Sequence, residues 1–590
     1  MKKVGSFLIR ARDASARLGT FRTKSGLLDL PAFFPVYNPN KPVIPAEEIL
    51  RDFKIRQIIT NSYIIYRNPE LRSKVLEEGL HDALGFDGII MTDSGAYQLY
   101  RYGRVDVSNL DIVRFQHRIG SDIGSIIDVP MSAHISYQEA VRGVNETIKH
   151  ARELENIKDE LTGTIWLGTV QGSIYHDLLA LCAREISSID FGYFGAGSLK
   201  VALEKYEYNI QAEYLIRVRE LLPSGKPLHF WGIGHPSTFA FFVALGADSF
   251  DSAAYALFAE DGRYMTIEGT MYLKDLEEFP CDCPECSRYT PKEVKSMPQE
   301  EIMRFLARHN LHVCVREIKK VREAIRGGWL WELVQMRARY HPKLLEALIF
   351  TFKHFKDELE KREPFSKKSG LFYSGEETKE RPEVYRAKKM LRRVIKVKRF
   401  FSTVLYDQVP IGLRYTYPFG QTHVPGEAEP EEEPTDEELI SHILQYQFGP
   451  EAVNAFENPI VIRSKSTGMP RQVFDGEERV GMIRHYDGMF VPSLEGARKL
   501  VRVLPYPRSR VVIKRRFAET VARGTTVFTH FIEDIDPEIR PYQEVIAVDD
   551  SDSVLAVGKT ILSGLEVEEF ENHPFMKVRH HVLPRESETN

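Results

Sequence analysis

Residues 227–251 read PLHFWGIGHPSTFAFFVALGADSFD, and this stretch decides the fold. Two short apolar runs, PLHFWGIG (227–234) and ADSFD (247–251), flank a segment long enough for a helix. The same unit recurs upstream, with runs at FFPVY (33–37), IRQIIT (55–60), GIIMT (88–92), GSIID (124–128), TIWLGTV (164–170) and FGYFGAG (191–197). Short apolar strands alternating with helical stretches imply parallel strands joined by crossover helices. Eight such units within the first 260 residues point to a (β/α)8 barrel. An open doubly wound sheet shows the same alternation. Eight repeats without a terminal nucleotide fingerprint favour the barrel.

Working outward, 299–361 is patterned as helix, and 361–400 is strongly basic, with 14 Lys/Arg against 5 Glu. Residues 426–438 (GEAEPEEEPTDEE) hold eight acids and no base, the composition of a solvated linker. A small α/β segment follows to 507, and 508–585 switches to short strands that suggest a separate small β-barrel.

Composition narrows the function classes. Net charge is −5, so any nucleic-acid contact must come from local basic patches such as 386–399 or Lys514–Arg516. A solvated helix face explains such runs at least as well. The start, MKKVGSFLIRARD, lacks the apolar core of a secretory signal, and no 18-residue apolar run occurs, so a cytoplasmic protein without a membrane partner is expected. Three of the five cysteines fall in Cys281-Asp-Cys283-Pro-Glu-Cys286. Three thiolates plus one imidazole complete a tetrahedral structural zinc site, with His309 and His312 both candidates for the fourth ligand. Cys182 and Cys314 remain, expected to be reduced and buried.

In a barrel, reactive groups project from the C-terminal ends of the strands. Asp93 (in Met91-Thr92-Asp93-Ser94-Gly95-Ala96-Tyr97-Gln98), Asp128, Gln171, Gly197-Ser198, Gly232-Ile-Gly234 and Asp251-Ser252 all stand at such ends. A single aspartate there is usually a helix cap. Three on one rim, among glycines that admit close backbone approach, point to a flat ligand. Tyr97 fits either a core role or stacking on a base. Two carboxylates across a sugar suit glycosyl transfer, one attacking the anomeric carbon and the other handling protons.

These residues resemble the tRNA-guanine transglycosylases, most closely the archaeal type. The shared features are Thr92 to Gln98, Phe250-Asp251-Ser252, the Cys-x-Cys-x2-Cys motif with a downstream histidine, and a tail similar to a PUA module. The resemblance implies a (β/α)8 TIM barrel with a zinc-binding insertion, small α+β domains and a C-terminal PUA β-barrel. It divides the chain into a catalytic barrel (1–360), a basic linking region with the acidic linker (361–435), a small α/β domain (436–507) and a PUA domain (508–590). It implies Asp251 as nucleophile and Asp93 as general acid/base. Ser94, Asp128, Gln171, Gly197 and Ser198 would contact the base, and Tyr97 would stack on it. It selects His309, with Cys281, Cys283 and Cys286, as the ligands of one structural zinc per chain. The implied reaction replaces guanine 15 in the tRNA D-arm with 7-cyano-7-deazaguanine (preQ0), through a covalent aspartyl-ribosyl intermediate, as a step toward archaeosine. A homodimer is expected on the same ground. Trp231 departs from the family pattern, where methionine or phenylalanine is expected. Three rivals are an archaeosine-synthase-like paralogue, a non-catalytic tRNA-binding subunit and a barrel glycoside hydrolase. The presence of Asp93, Asp251 and the full cysteine motif argues against the first, that of Asp251 against the second, and the PUA-like tail against the last.

Overall fold

The computed structural model describes residues 3–96, 107–197, 199–428 and 430–584. The chain divides into two compact units. One comprises 1–10, 16–326 and 333–351; the other comprises 11–15, 327–332 and 352–590.

The first unit is built on eight parallel strands: β1 (Ala32–Pro35), β2 (Gln57–Asn61), β3 (Ile89–Asp93), β4 (Ile123–Ser125), β5 (Ile165–Val170), β6 (Tyr193–Ala196), β7 (Leu228–Phe230) and β8 (Ser249–Ser252). Their order is β1-β8-β7-β6-β5-β4-β3-β2. The ring closes where Val36 bridges Ile59 in parallel and the Tyr37 N–H donates to the Ile59 carbonyl at 2.7 Å. Strand order therefore follows chain order around the ring, which excludes the doubly wound sheet.

Every strand is followed by helix, from Ala46–Phe53 after β1 to Ala254–Glu260 after β8. Local chemistry sets where these helices start. Ser136 and Glu139 form a reciprocal capping box at the head of Tyr137–Glu155, and the Asn61 carboxamide oxygen accepts from Ile64 N–H to start Ser62–Arg67. The strands are buried on both faces; all six residues of β5 are shielded from solvent, as expected of strands covered by helices. One expected boundary differs. β4 stops at Ser125 rather than at Asp128, because the Gln116 carboxamide takes over both backbone groups of Ser125 at 3.0 and 2.8 Å. Asp128 consequently stands on the loop beyond the strand.

The second unit contains a four-stranded antiparallel sheet (Pro459–Arg463, Pro470–Asp475, Glu478–Ile483, Phe490–Pro492) and a six-stranded sheet that spans 510–581. Helix Asp436–Phe448 begins at a Thr435–Glu438 capping box at the end of the acidic stretch. One apolar core runs through Phe365, Leu405, Ile443, Val480, Val512, Ile546 and Val557. Among the described residues, no helix is long and apolar enough to cross a membrane.

Candidate active site and candidate metal centre

β3 ends in Asp93, which is partly exposed at the rim of the barrel. Its neighbour in register on β2 is Asn61, whose amide donates to Asp93 Oδ2 at 2.7 Å. Gly95 stands two residues on, with φ +96°, and a Cβ there would fall 2.4 Å from Tyr63 Cβ, so only glycine makes this turn. The turn aims the Gly95 N–H back at the Asp93 carboxyl. Burial pushes the Asp93 carboxyl up to about 7, and the charges of Asp128 and Asp251 push the same way, against the Gly95 and Asn61 hydrogen bonds. Asp93 thus feels both other rim acids. Ser94 N–H donates to Ser125 Oγ at 3.0 Å, while the buried Ser94 hydroxyl has no partner among the described residues.

Asp128 is buried, and Gln171 at the end of β5 donates to its Oδ2 at 2.6 Å. Burial raises this carboxyl to about 6, opposed chiefly by the Gln171 hydrogen bond. Gly197 leaves room for that amide, since a Cβ at 197 would fall 2.4 Å from Gln171 Nε2. Asp128, Gln171 and Gly197 therefore form one cluster. Tyr97 and Ser198 lie outside the described residues.

Asp251 is carried on β8. Its Oδ1 accepts from Gly232 N–H at 2.7 Å and faces His229 Nε2 at 3.2 Å. Gly232 has φ +71°, a conformation that turns its N–H toward β8 at the end of β7. Trp231 packs edge-on against His229, with ring centroids 4.4 Å apart, and donates from Nε1 to Thr169 Oγ1 at 3.3 Å. The rim thus combines a partly protonated carboxyl, a carboxylate held by donors, and a buried acid–amide pair. This arrangement can attack a sugar carbon, shuttle a proton and read the edge of an amino-pyrimidinone ring.

Cys281, Cys283, Cys286 and His309 form a second centre, their ligand atoms all within 4.8 Å of one another. His309 Nδ1 lies 3.2 Å from Cys286 Sγ and 3.5 Å from Cys283 Sγ. Its Nε2 lies 2.7 Å from the Met265 carbonyl. The carbonyl only accepts, so Nε2 carries the proton and Nδ1 keeps its lone pair for a metal. Tyr264 stacks on the imidazole at 3.6 Å, and its hydroxyl reaches Cys286 Sγ at 3.3 Å. His312 instead packs on the Phe53 ring and is not part of this group. The four groups suit a metal ion. Cys182 and Cys314 are buried and unpaired to each other.

Some members of the basic runs proposed for phosphate contact are committed to ion pairs. Arg386 is buried against Glu360, Arg393 pairs with Glu538, and Arg399 with Glu432. Lys514 lies past its strand, which ends at Ile513, and donates to the His530 carbonyl at 3.1 Å, while Arg515 and Arg516 form a 3-10 turn. Two site residues escape a sequence reading. Asn61 looks like a helix cap, and His229 like a core histidine in an apolar strand. The only available signal is that both stand on strands next to an acid-bearing strand end.

The sequence profile of queuine tRNA-ribosyltransferase matches residues 13–343. The patch-forming domain C2 of tRNA-guanine transglycosylase matches 438–507, and the PUA domain matches 509–582. Among similar curated proteins, a tRNA-guanine(15) transglycosylase of Korarchaeum cryptofilum is 55% identical over 587 residues, 99% of this chain and 98% of the relative. One of Thermococcus onnurineus is 42% identical over 581 residues (98% and 99%), and one of Methanocaldococcus jannaschii 38% over 650 (97% and 99%).

Proposed function

The chain belongs to the tRNA-guanine transglycosylase family, and on that premise we propose that it exchanges guanine 15 of tRNA for preQ0 through an aspartyl-ribosyl intermediate. The observation that supports this reading is that Asp93 on β3 and Asp251 on β8 stand at the C-terminal ends of strands in one parallel ring, with Asp128 on the loop beyond β4. Asp251 attacks C1′ as the glycosidic bond to guanine breaks. The bonding pair leaves with the base, and Asp93, holding a proton near neutrality, protonates it. preQ0 then enters, loses its N9 proton to Asp93, and displaces the Asp251 carboxylate from C1′. Two displacements at one carbon retain configuration. Asp128 and Gln171 read the base edge, with Ser94, Gly197 and Ser198 completing the contacts and Tyr97 stacking on the ring. The PUA region grips the tRNA, and the protein acts as a homodimer, both on the strength of the resemblance.

The three thiolates and the imidazole of Cys281, Cys283, Cys286 and His309 fit one zinc ion. Four protein ligands would leave no open position, so an ion held there would fasten the loop to the helix and supply no catalytic chemistry.

The test is Asp251→Ala. Exchange of radiolabelled guanine into tRNA is abolished while tRNA binding persists, and the parent enzyme shows a trapped protein–tRNA adduct on denaturing gels. Full exchange by the variant ends the nucleophile assignment.

A further inference from the structure

His229 is fully buried on β7, and its register partner on β8 is Ser249. Its Nδ1 lies 2.8 Å from Ser249 Oγ, and that hydroxyl lies 2.7 Å from the buried Tyr193 hydroxyl on β6. Its Nε2 faces Asp251 Oδ1. Four side chains on three adjacent strands therefore form one hydrogen-bonded line: Tyr193, Ser249, His229, Asp251.

The direction of this line follows from its last member. An attacking carboxylate is ionised and only accepts. His229 Nε2 must then carry the proton, Nδ1 accepts from Ser249 O–H, and Ser249 Oγ accepts from Tyr193 O–H. Every link holds one proton and none conflicts. Two rings fix the imidazole plane, Trp231 at 4.4 Å and Phe34 at 5.9 Å, both edge-on.

Both donors to Asp251, His229 Nε2–H and Gly232 N–H, converge on Oδ1. Among the described residues, none reaches Oδ2. We infer that His229 is the positioning residue of the nucleophile: with Gly232 it occupies Oδ1 and leaves Oδ2 as the atom that bonds to C1′. In the ester, Oδ1 becomes the carbonyl oxygen and keeps both donors. When the incoming base displaces the carboxylate, the charge returning to Oδ1 meets hydrogen bonds already in place. Oδ2 forms its bond as the C1′–guanine bond breaks, and loses it as the C1′–preQ0 bond forms, so no further reactant is needed. The inference rests on Asp251 being the nucleophile.

The experiment measures single-turnover adduct formation on an unmodified tRNA transcript, and steady-state exchange of radiolabelled guanine, with His229→Leu, His229→Gln, Ser249→Ala and Asp251→Asn. His229→Leu slows adduct formation and kcat by about tenfold to a hundredfold, the size of one lost hydrogen bond to a charged group, with KM for tRNA and base essentially unchanged. His229→Gln, which restores an N–H near the Nε2 position, recovers most of the rate. Ser249→Ala, which frees the imidazole to adopt the wrong tautomer, loses roughly threefold to tenfold, a weaker, indirect effect. A folded His229→Leu variant with the parent adduct rate, or His229→Gln as slow as His229→Leu, overturns the inference. If His229→Leu does not fold, a parent-like rate in Ser249→Ala overturns it. Asp251→Asn separates the two levels. Adduct formation by that variant removes the nucleophile itself, whereas a dead Asp251→Asn beside an unimpaired His229→Leu removes only the role of His229.

Discussion

Asp93 holds a proton near neutrality because its surroundings are set against its charge: burial first, then two neighbouring acids. This has a cost in stability whose sign is fixed. The carboxyl titrates at about 7 in the folded chain against an ordinary 3.8. Between those values the folded chain binds a proton that the unfolded chain has released, so stability falls as pH rises across the window. Asp93→Asn removes the ionisation. It is expected to stabilise the protein at pH 8 by on the order of 1–2 kcal/mol, discounted from the full shift because the carboxyl is partly exposed. The gain vanishes at pH 4, and exchange is lost. Thermal melts at the two pH values check this, and a variant less stable than its parent at pH 8 contradicts it. At this scale the sequence was informative where a polar residue ended an apolar run, as for Asp93, Gln171 and Asp251. It was silent where one residue does two jobs. Asn61 is a helix cap through its oxygen and a partner of Asp93 through its nitrogen. Only the first job leaves a local pattern.

The eight strands were legible because strands covered on both faces must be apolar along their length, and their ends because glycine or a polar group must follow. The end of β4 was misjudged, since the side chain that stops it comes from the preceding helix. For the metal centre, cysteine spacing announces three ligands, but the fourth is a matter of helix rotation. His309 and His312 share the helix Gln299–Gly327 and stand about 60° apart around its axis. The fold turns His309 onto the thiols and His312 onto Phe53. Cys283→Ser is therefore expected to release the metal, read as loss of about one zinc per chain by atomic absorption, and to lower the melting temperature, because metal-binding free energy is folding free energy. His312→Ala should keep the zinc. Unchanged metal content and melting in Cys283→Ser would remove the assignment, and zinc loss in His312→Ala would exchange the two histidines.

At the scale of the whole molecule, the expectation of a catalytic segment ending at 360 meets a buried ionic cluster that ignores that boundary. Lys367 Nζ lies 2.5 Å from Asp13 and 2.6 Å from Glu363, and it also contacts Glu383. Arg381 pairs with Glu383 and Glu332, each at 2.7 Å. Arg12, next to Asp13, is buried against Glu566 at 2.7 Å. Residues 11–15 and 327–332 thus fold with the C-terminal half, as the division into units also has it. No sequence pattern announces such pairs, because each charge is unremarkable until its partner arrives from hundreds of residues away. Four carboxylates share two cations here; burial raises Glu363 to about 7, and Asp13 is raised as well. Removing one cation leaves buried acids uncompensated, a loss of about 3–5 kcal/mol. Lys367→Met is accordingly expected to destabilise the protein strongly, and more at pH 8 than at pH 5, since protonating the raised carboxyls relieves the deficit. A fragment of residues 1–360 would strand Arg12, Asp13 and Glu332 without Glu566, Lys367 and Arg381. It should melt well below the full chain, whereas matching melts for fragment and full chain would show that the cluster contributes nothing to folding.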